Sequence, residues 1–187
     1  MIPFEAIDKN WTLFLDRDGV LNRDKEGDYI RNTSEFVLLD GADTAVSIFN
    51  RIFGVTVVAT NQKGVGKGLM TLGDLGQIHD LLQQHLQAAG GKIDKIYFAP
   101  DLDNNSPNRK PNHGMALQAQ QDFPQVDFSK SIMVGNRLSD MAFGRNAGMY
   151  TVFVATTHPE TEFPHPQIDA RYNSLIEFAQ HLAKVLL

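Results

Sequence analysis

The sequence predicts an α/β fold: a doubly wound parallel sheet in a single domain spanning residues 1–187. Three observations carry that expectation. Short apolar runs alternate five times with longer amphipathic stretches. The short runs are β-branched or aromatic and apolar at successive positions, as strands covered on both faces must be. The chain has 187 residues, 42% of them hydrophobic, at a mean hydropathy of −0.24. That is enough apolar mass for one core and about one domain.

Taken in order, the first strand is expected at Thr12-Leu13-Phe14-Leu15, running into Asp16. The second is Val55-Thr56-Val57-Val58-Ala59, ending at Thr60. Three more follow at Ile96-Tyr97-Phe98, Ile132-Met133-Val134 and Thr151-Val152-Phe153-Val154. Residues 42–53 place Ala45, Ile48, Phe49 and Ile52 at helical spacing, and Gly54 stops that helix. Residues 71–89 open with Thr71 and Asp74 in the pattern of a capping box and close at Gly90-Gly91. Further helices are expected at 112–123, at 138–147 before Gly148, and at 174–187. Residues 17–36, 100–111 and 159–166 read as irregular loops, and residues 63–68 as a flexible surface loop. Trp11, Phe49, Phe53 and Met141 read as packing residues.

Composition removes several classes of function. A net charge of −5 and a pI near 5.6 leave no broad basic surface for nucleic acid. No apolar run approaches the ~20 residues of a membrane span, so no membrane partner is expected. The first ten residues carry acids and no long apolar segment, so no signal peptide is expected. There is no cysteine, which excludes disulfides, thiol catalysis and cysteine-based zinc sites. A reducing, cytoplasmic location fits that composition. The six histidines do not pair at helical spacing, which argues against metal binding by them.

In an open α/β sheet, ligands sit beyond the carboxyl ends of the strands. The residues there are Asp16-Arg17-Asp18-Gly19 after the first strand and Thr60-Asn61-Gln62 after the second. Arg109-Lys110-Pro111 follows the third, and Gly135-Asn136-Arg137-Leu138-Ser139-Asp140 follows the fourth. Each piece alone is a common turn, cap or surface charge. Together they gather acids, a hydroxyl, an amide and cations on one rim. That set suits phosphoryl transfer. Two acids two apart can share a divalent cation, which bridges to phosphate oxygens. One carboxylate can attack phosphorus, and the other can move the proton of the leaving oxygen.

The segment Phe14-Leu15-Asp16-Arg17-Asp18-Gly19-Val20-Leu21-Asn22 resembles the first motif of the haloacid dehalogenase-like phosphatases. The Thr60, Arg109-Lys110-Pro111 and Val134-to-Asp140 segments match later motifs in order, over roughly residues 13–149. The histidinol-phosphatase and heptose-bisphosphate phosphatase branch is the most similar. The resemblance implies a Rossmann-like core. It implies Asp16 as nucleophile and Asp18 as general acid and then base. Thr60, Asn61, Arg109 and Lys110 would bind phosphate. Magnesium would be held by Asp16, by the Asp18 main-chain carbonyl and by Asn136 or Asp140. The implied reaction is hydrolysis of a small phosphorylated substrate, a heptose bisphosphate or histidinol phosphate, by a monomer. A weakened phosphate-binding relative and a nucleotide or polynucleotide-end phosphatase are the alternatives.

Three departures from the family pattern stand out. Asn136 occupies the position of a metal-binding Asp, which removes one negative charge. Residues 99–108 hold no Cys or His where relatives carry a zinc loop, so no zinc is expected and turns and hydrogen bonds should hold the loop. The segment 63–68 carries an additional lysine, and Lys63 or Lys67 is a candidate for a second anionic group of the substrate. Only 44 residues separate Asp16 from Thr60 and 50 separate Thr60 from Lys110, so no cap domain fits in either interval.

Overall fold

A computed structural model describes residues 1–187. Six parallel strands form one sheet in the order β3-β2-β1-β4-β5-β6. They are β1 (Thr12–Leu15), β2 (Val55–Asn61), β3 (Lys95–Ala99), β4 (Ser131–Gly135), β5 (Tyr150–Val154) and β6 (Ala170–Tyr172). The helices are α1 (Ala42–Ile52), α2 (Lys63–Gly66), α3 (Leu72–Ala88), α4 (Gly114–Asp122), α5 (Leu138–Ala147) and α6 (Leu175–Leu186). No cap domain interrupts this order, and no helix is long and apolar enough to cross a membrane.

The strands alternate their side chains between two cores, as the pleat requires. Leu13, Leu15, Val58, Val134 and Val152 join α1, α3 and α6 on one face. Phe14, Val57, Tyr97 and Met133 join α4 and α5 on the other. Phe14 and Phe49 are completely buried, one on each face. Each such side chain contributes roughly 1.5–3 kcal/mol by leaving water. That double cover is why the strand runs are near-continuously apolar. Trp11 is buried and stacks on Tyr150 with ring centroids 5.8 Å apart.

β1 pairs with β2 on one side and β4 on the other. The chain therefore leaves β1 and β4 in opposite directions, and a crevice opens beyond their carboxyl ends. Two expectations need correction. Residues 63–66 form a helical turn, α2, rather than a flexible loop. A sixth strand, β6, lies on the edge of the sheet beyond β5, with all three residues half-buried. The capping box of Thr71 and Asp74 is present at the start of α3.

Candidate active site

Asp16 follows β1 directly, and its N–H donates to Val134 O of β4 at 2.9 Å, so its carboxylate is set at the sheet edge. Lys110 arrives from the segment before α4 and is buried. Its Nζ lies 2.8 Å from Asp16 Oδ1 and 2.7 Å from Asp140 Oδ1. Asp140 stands in the first turn of α5, and its Oδ2 accepts from the N–H groups of Asn136 (3.2 Å) and Arg137 (3.0 Å). That is a charge at a helix N-terminus, where it is favoured. Gly135 makes the approach possible: a Cβ there would meet the Asp140 side chain at 2.2 Å.

Burial and the neighbouring charge of Asp140 push the Asp16 carboxyl up to about 7, against the opposing pull of Lys110. Burial lowers Lys110, but the charges of Asp140 and Asp16 outweigh it and hold the ammonium above its ordinary value. Asp18 lies in different surroundings. Arg17 Nη2 reaches its Oδ1 at 2.9 Å and its Oδ2 at 3.1 Å. Asn22 Nδ2 donates to Oδ1 and Gln62 Nε2 to Oδ2, each at 2.9 Å. Burial would raise Asp18, yet the Arg17 charge and these bonds together hold it below the usual carboxylate range.

Thr60, buried at the end of β2, accepts from Gln62 Nε2 at 2.9 Å through Oγ1. The Asn61 side chain is engaged with the Lys110 backbone. Its Nδ2 donates to Lys110 O at 3.1 Å, and Lys110 N donates to its Oδ1 at 3.0 Å. Arg109 Nε and Lys63 Nζ both donate to Asn104 Oδ1, at 3.2 and 3.1 Å. Arg109 Nη1 is buried with no hydrogen-bond partner. Lys67 lies over the Tyr29 ring, 5.1 Å from its centroid.

The crevice encloses about 410 Å³ and is lined by Asp16, Asp18, Thr60, Lys110 and the rim residues Lys25, Lys63, Arg109 and Arg137. The rim loop after Asn22 is tied by ion pairs of Lys25 with Asp28 and Glu35, each at 3.1 Å. Arg137 joins that loop to α5 through Asp24 at 2.7 Å. The segment 101–108 is held by turns and hydrogen bonds, such as Asn112 Nδ2 to Ser106 O at 2.9 Å.

The carboxylates of Asp16 and Asp18 and the Asn136 amide could offer a cation oxygen ligands, the type magnesium prefers. Asn136 is fully buried, and its Nδ2 donates to Thr157 Oγ1 at 2.6 Å. Its Oδ1 is left buried with no partner. Gly19, at φ +81°, accommodates this side chain; a Cβ there would meet Asn136 Nδ2 at 2.2 Å. An orphaned acceptor costs about 1–3 kcal/mol unless something binds it, and a cation fits it. Asp140 Oδ1 meets Lys110 and its Oδ2 accepts from the α5 N-terminus, so its carboxylate ties the ammonium to the start of that helix. Sequence reasoning did not single out Arg17, Asn22, Gln62, His79 or Asn104. Arg17 and Gln62 stand inside the motifs and were within reach; His79 and Asn104 carry no local signal.

Comparison with known proteins points the same way. A model of the HAD-hydrolase-like family matches residues 107–177. The D-glycero-α-D-manno-heptose-1,7-bisphosphate 7-phosphatase of Mycobacterium bovis is 37% identical over 176 residues, covering 94% of this chain and 93% of its own. The D-glycero-D-manno-heptose-1,7-bisphosphate 7-phosphatase of Chlorobaculum tepidum is 36% identical over 160 residues, covering 79% and 80%. Among solved structures, the D,D-heptose 1,7-bisphosphate phosphatase from B. bronchiseptica, complexed with magnesium and phosphate, superposes with a TM-score of 0.83. It is 28% identical and covers 93% of this chain and 98% of its own.

Proposed function

The chain belongs to the haloacid dehalogenase-like phosphatases, and from that premise we propose that it is a magnesium-dependent phosphomonoesterase for a small phosphorylated sugar. A heptose bisphosphate is the leading substrate. The observation that carries this reading is the buried Asp16–Lys110–Asp140 cluster at the switch point of the sheet. It joins a nucleophilic oxygen to a fixed positive charge.

In this reading Asp16 attacks phosphorus, the bond to the sugar oxygen breaks, and an aspartyl-phosphate forms. Asp18, which its donors keep ionised in the free site, takes a proton from the monoanionic phosphate group as it binds and delivers it to the departing oxygen. It then takes a proton from the water that attacks the aspartyl-phosphate, which frees inorganic phosphate and restores Asp16. Lys110 and Thr60 hold the transferring phosphoryl oxygens. Asp140 anchors Lys110 and does not touch substrate. Asp16, the Asp18 main-chain carbonyl and Asn136 would hold magnesium, which would supply positive charge at the transferring group. Positioning and charge stabilisation supply most of the rate in such reactions.

The bisphosphate is favoured by the rim. Lys25 and Arg137 are ion-paired there, whereas Lys63 and Arg109 share only the neutral Asn104 oxygen. Two cations without a carboxylate make a natural seat for a second phosphate. The test is phosphate release from a panel holding heptose bisphosphate, histidinol phosphate and simple sugar monophosphates, with and without magnesium, beside Asp16→Asn. Magnesium-dependent release, lost in the variant and fastest on the bisphosphate, is expected. Release indifferent to Asp16→Asn would sink the mechanism, and a preference for monophosphates would sink the substrate.

A further inference from the structure

Behind Asp18 stands a buried ionic arrangement that the reaction as described does not use. Arg17 is fully buried. Its N–H donates to Asp16 Oδ1 at 2.8 Å, while its side chain turns to Asp18. The far Nη1 lies 3.2 Å from Nε2 of His79, on α3. A guanidinium has only donors, so His79 Nε2 must be the acceptor and Nδ1 must carry the ring proton. Burial first, and the Arg17 charge second, hold the His79 pKa down to about 3, so the ring is neutral. The ring also packs against Phe98 of β3, with centroids 6.2 Å apart.

We propose that His79 is a positioning residue for leaving-group protonation, acting through Arg17 to set where the Asp18 carboxylate stands. The proposal rests on the reading of Asp18 as the general acid. The guanidinium is a planar, rigid fork. One prong, Nη1, is tied to α3 by His79, and the opposite side grips both Asp18 oxygens. The carboxylate cannot shift without tilting the fork, and the fork cannot tilt without losing its one hydrogen bond to α3. Removing the imidazole leaves a buried N–H of Arg17 without its acceptor, and the fork is free to turn. A proton must pass between Asp18 and a leaving oxygen over hydrogen-bond distance, so a small displacement there acts on the chemistry.

The test compares two esters. An alkyl phosphate, such as the best sugar phosphate of the panel, needs its leaving oxygen protonated; p-nitrophenyl phosphate does not. The readout is kcat/KM, which extends only through departure of the leaving group. Asp18→Asn should lose more on the alkyl ester than on the aryl ester. His79→Leu should show the same asymmetry, with an excess loss of about tenfold on the alkyl ester. His79→Gln, whose carbonyl oxygen can accept from Arg17, should recover most of it. Equal losses on both esters in His79→Leu, or no loss on either, would overturn the proposal. If Asp18→Asn itself shows no asymmetry, the general-acid reading falls and takes the proposal with it. Should His79→Leu not fold, nitrogen NMR of the native protein decides: a charged ring at pH 6, or a proton on Nε2, would overturn it.

Discussion

The two sides of the site handle the same chemical group in opposite ways. On the Lys110 side, Asp16 shares one ammonium with a second carboxylate, and its pKa climbs to about 7. On the Arg17 side, Asp18 meets a guanidinium and two amides with no other acid in contact, and its pKa falls. Both acids sit on one loop, two residues apart. Burial raises both acids; at Asp16 the second carboxylate adds to it, whereas at Asp18 the Arg17 charge and the hydrogen bonds outweigh it. The Lys110 side carries surplus negative charge that a divalent cation would relieve. The Arg17 side is already balanced.

That comparison can be broken or sharpened by substitution. Asp16→Asn should cut phosphate release by on the order of 10³-fold or more while circular dichroism stays native, because the attacking oxygen is gone. Lys110→Met should leave two buried carboxylates face to face. A loss of about 3–5 kcal/mol in denaturant unfolding is expected, as for any buried ion pair robbed of one partner. If Lys110→Met unfolds like the native protein, the cluster is not the anchor of that side.

A third substitution tests the surplus charge itself. Asn136→Asp adds a carboxylate beside the orphaned oxygen position and should tighten magnesium by roughly tenfold in calorimetric titration. An unchanged affinity would remove Asn136 from the metal set. On the rim, Lys63→Ala should raise KM for a bisphosphate by about fivefold and leave a monophosphate alone, in proportion to one exposed charge. A further effect concerns pH. His79 takes a proton near 6.5 when unfolded but only near 3 when folded. Between those values the unfolded chain binds more protons, so stability falls as the pH drops from 6.5 toward 3. Thermal melts over pH 7 to 4 should show a shallower decline for His79→Gln than for the native protein.

The parts of this molecule legible in the sequence are those where one local rule acts alone. β1 at Thr12–Leu15 and α5 at Leu138–Ala147 fall where expected, because full burial demands unbroken apolar residues and Gly148 stops the helix at φ +90°. β6 escaped because Ala170-Arg171-Tyr172 lies on an edge and is only half-buried, so it carries no apolar run. α2 escaped because four residues with two glycines hold no helical period. Strand ends were short by one or two residues where polar groups such as Thr60 and Asn61 extend β2 into the site. In the site, the acids, Thr60 and Lys110 were legible from their order along the chain. Their partners were not: Arg17 and His79 meet across 62 positions, and nothing local to His79 announces it.

The pair of hydrogen bonds between the Asn61 amide and the Lys110 backbone has a mechanical consequence. It copies one rung of a β-ladder across 49 positions of chain, so Lys110 takes its register from β2. The turns at 101–108 upstream then bear no duty for holding the ammonium in place. Changes in that stretch would reach the mouth of the crevice, where Asn104 holds Lys63 and Arg109, and leave the floor at its spacing. A lineage of such enzymes can retune what it admits at the mouth without rebuilding the machinery beneath.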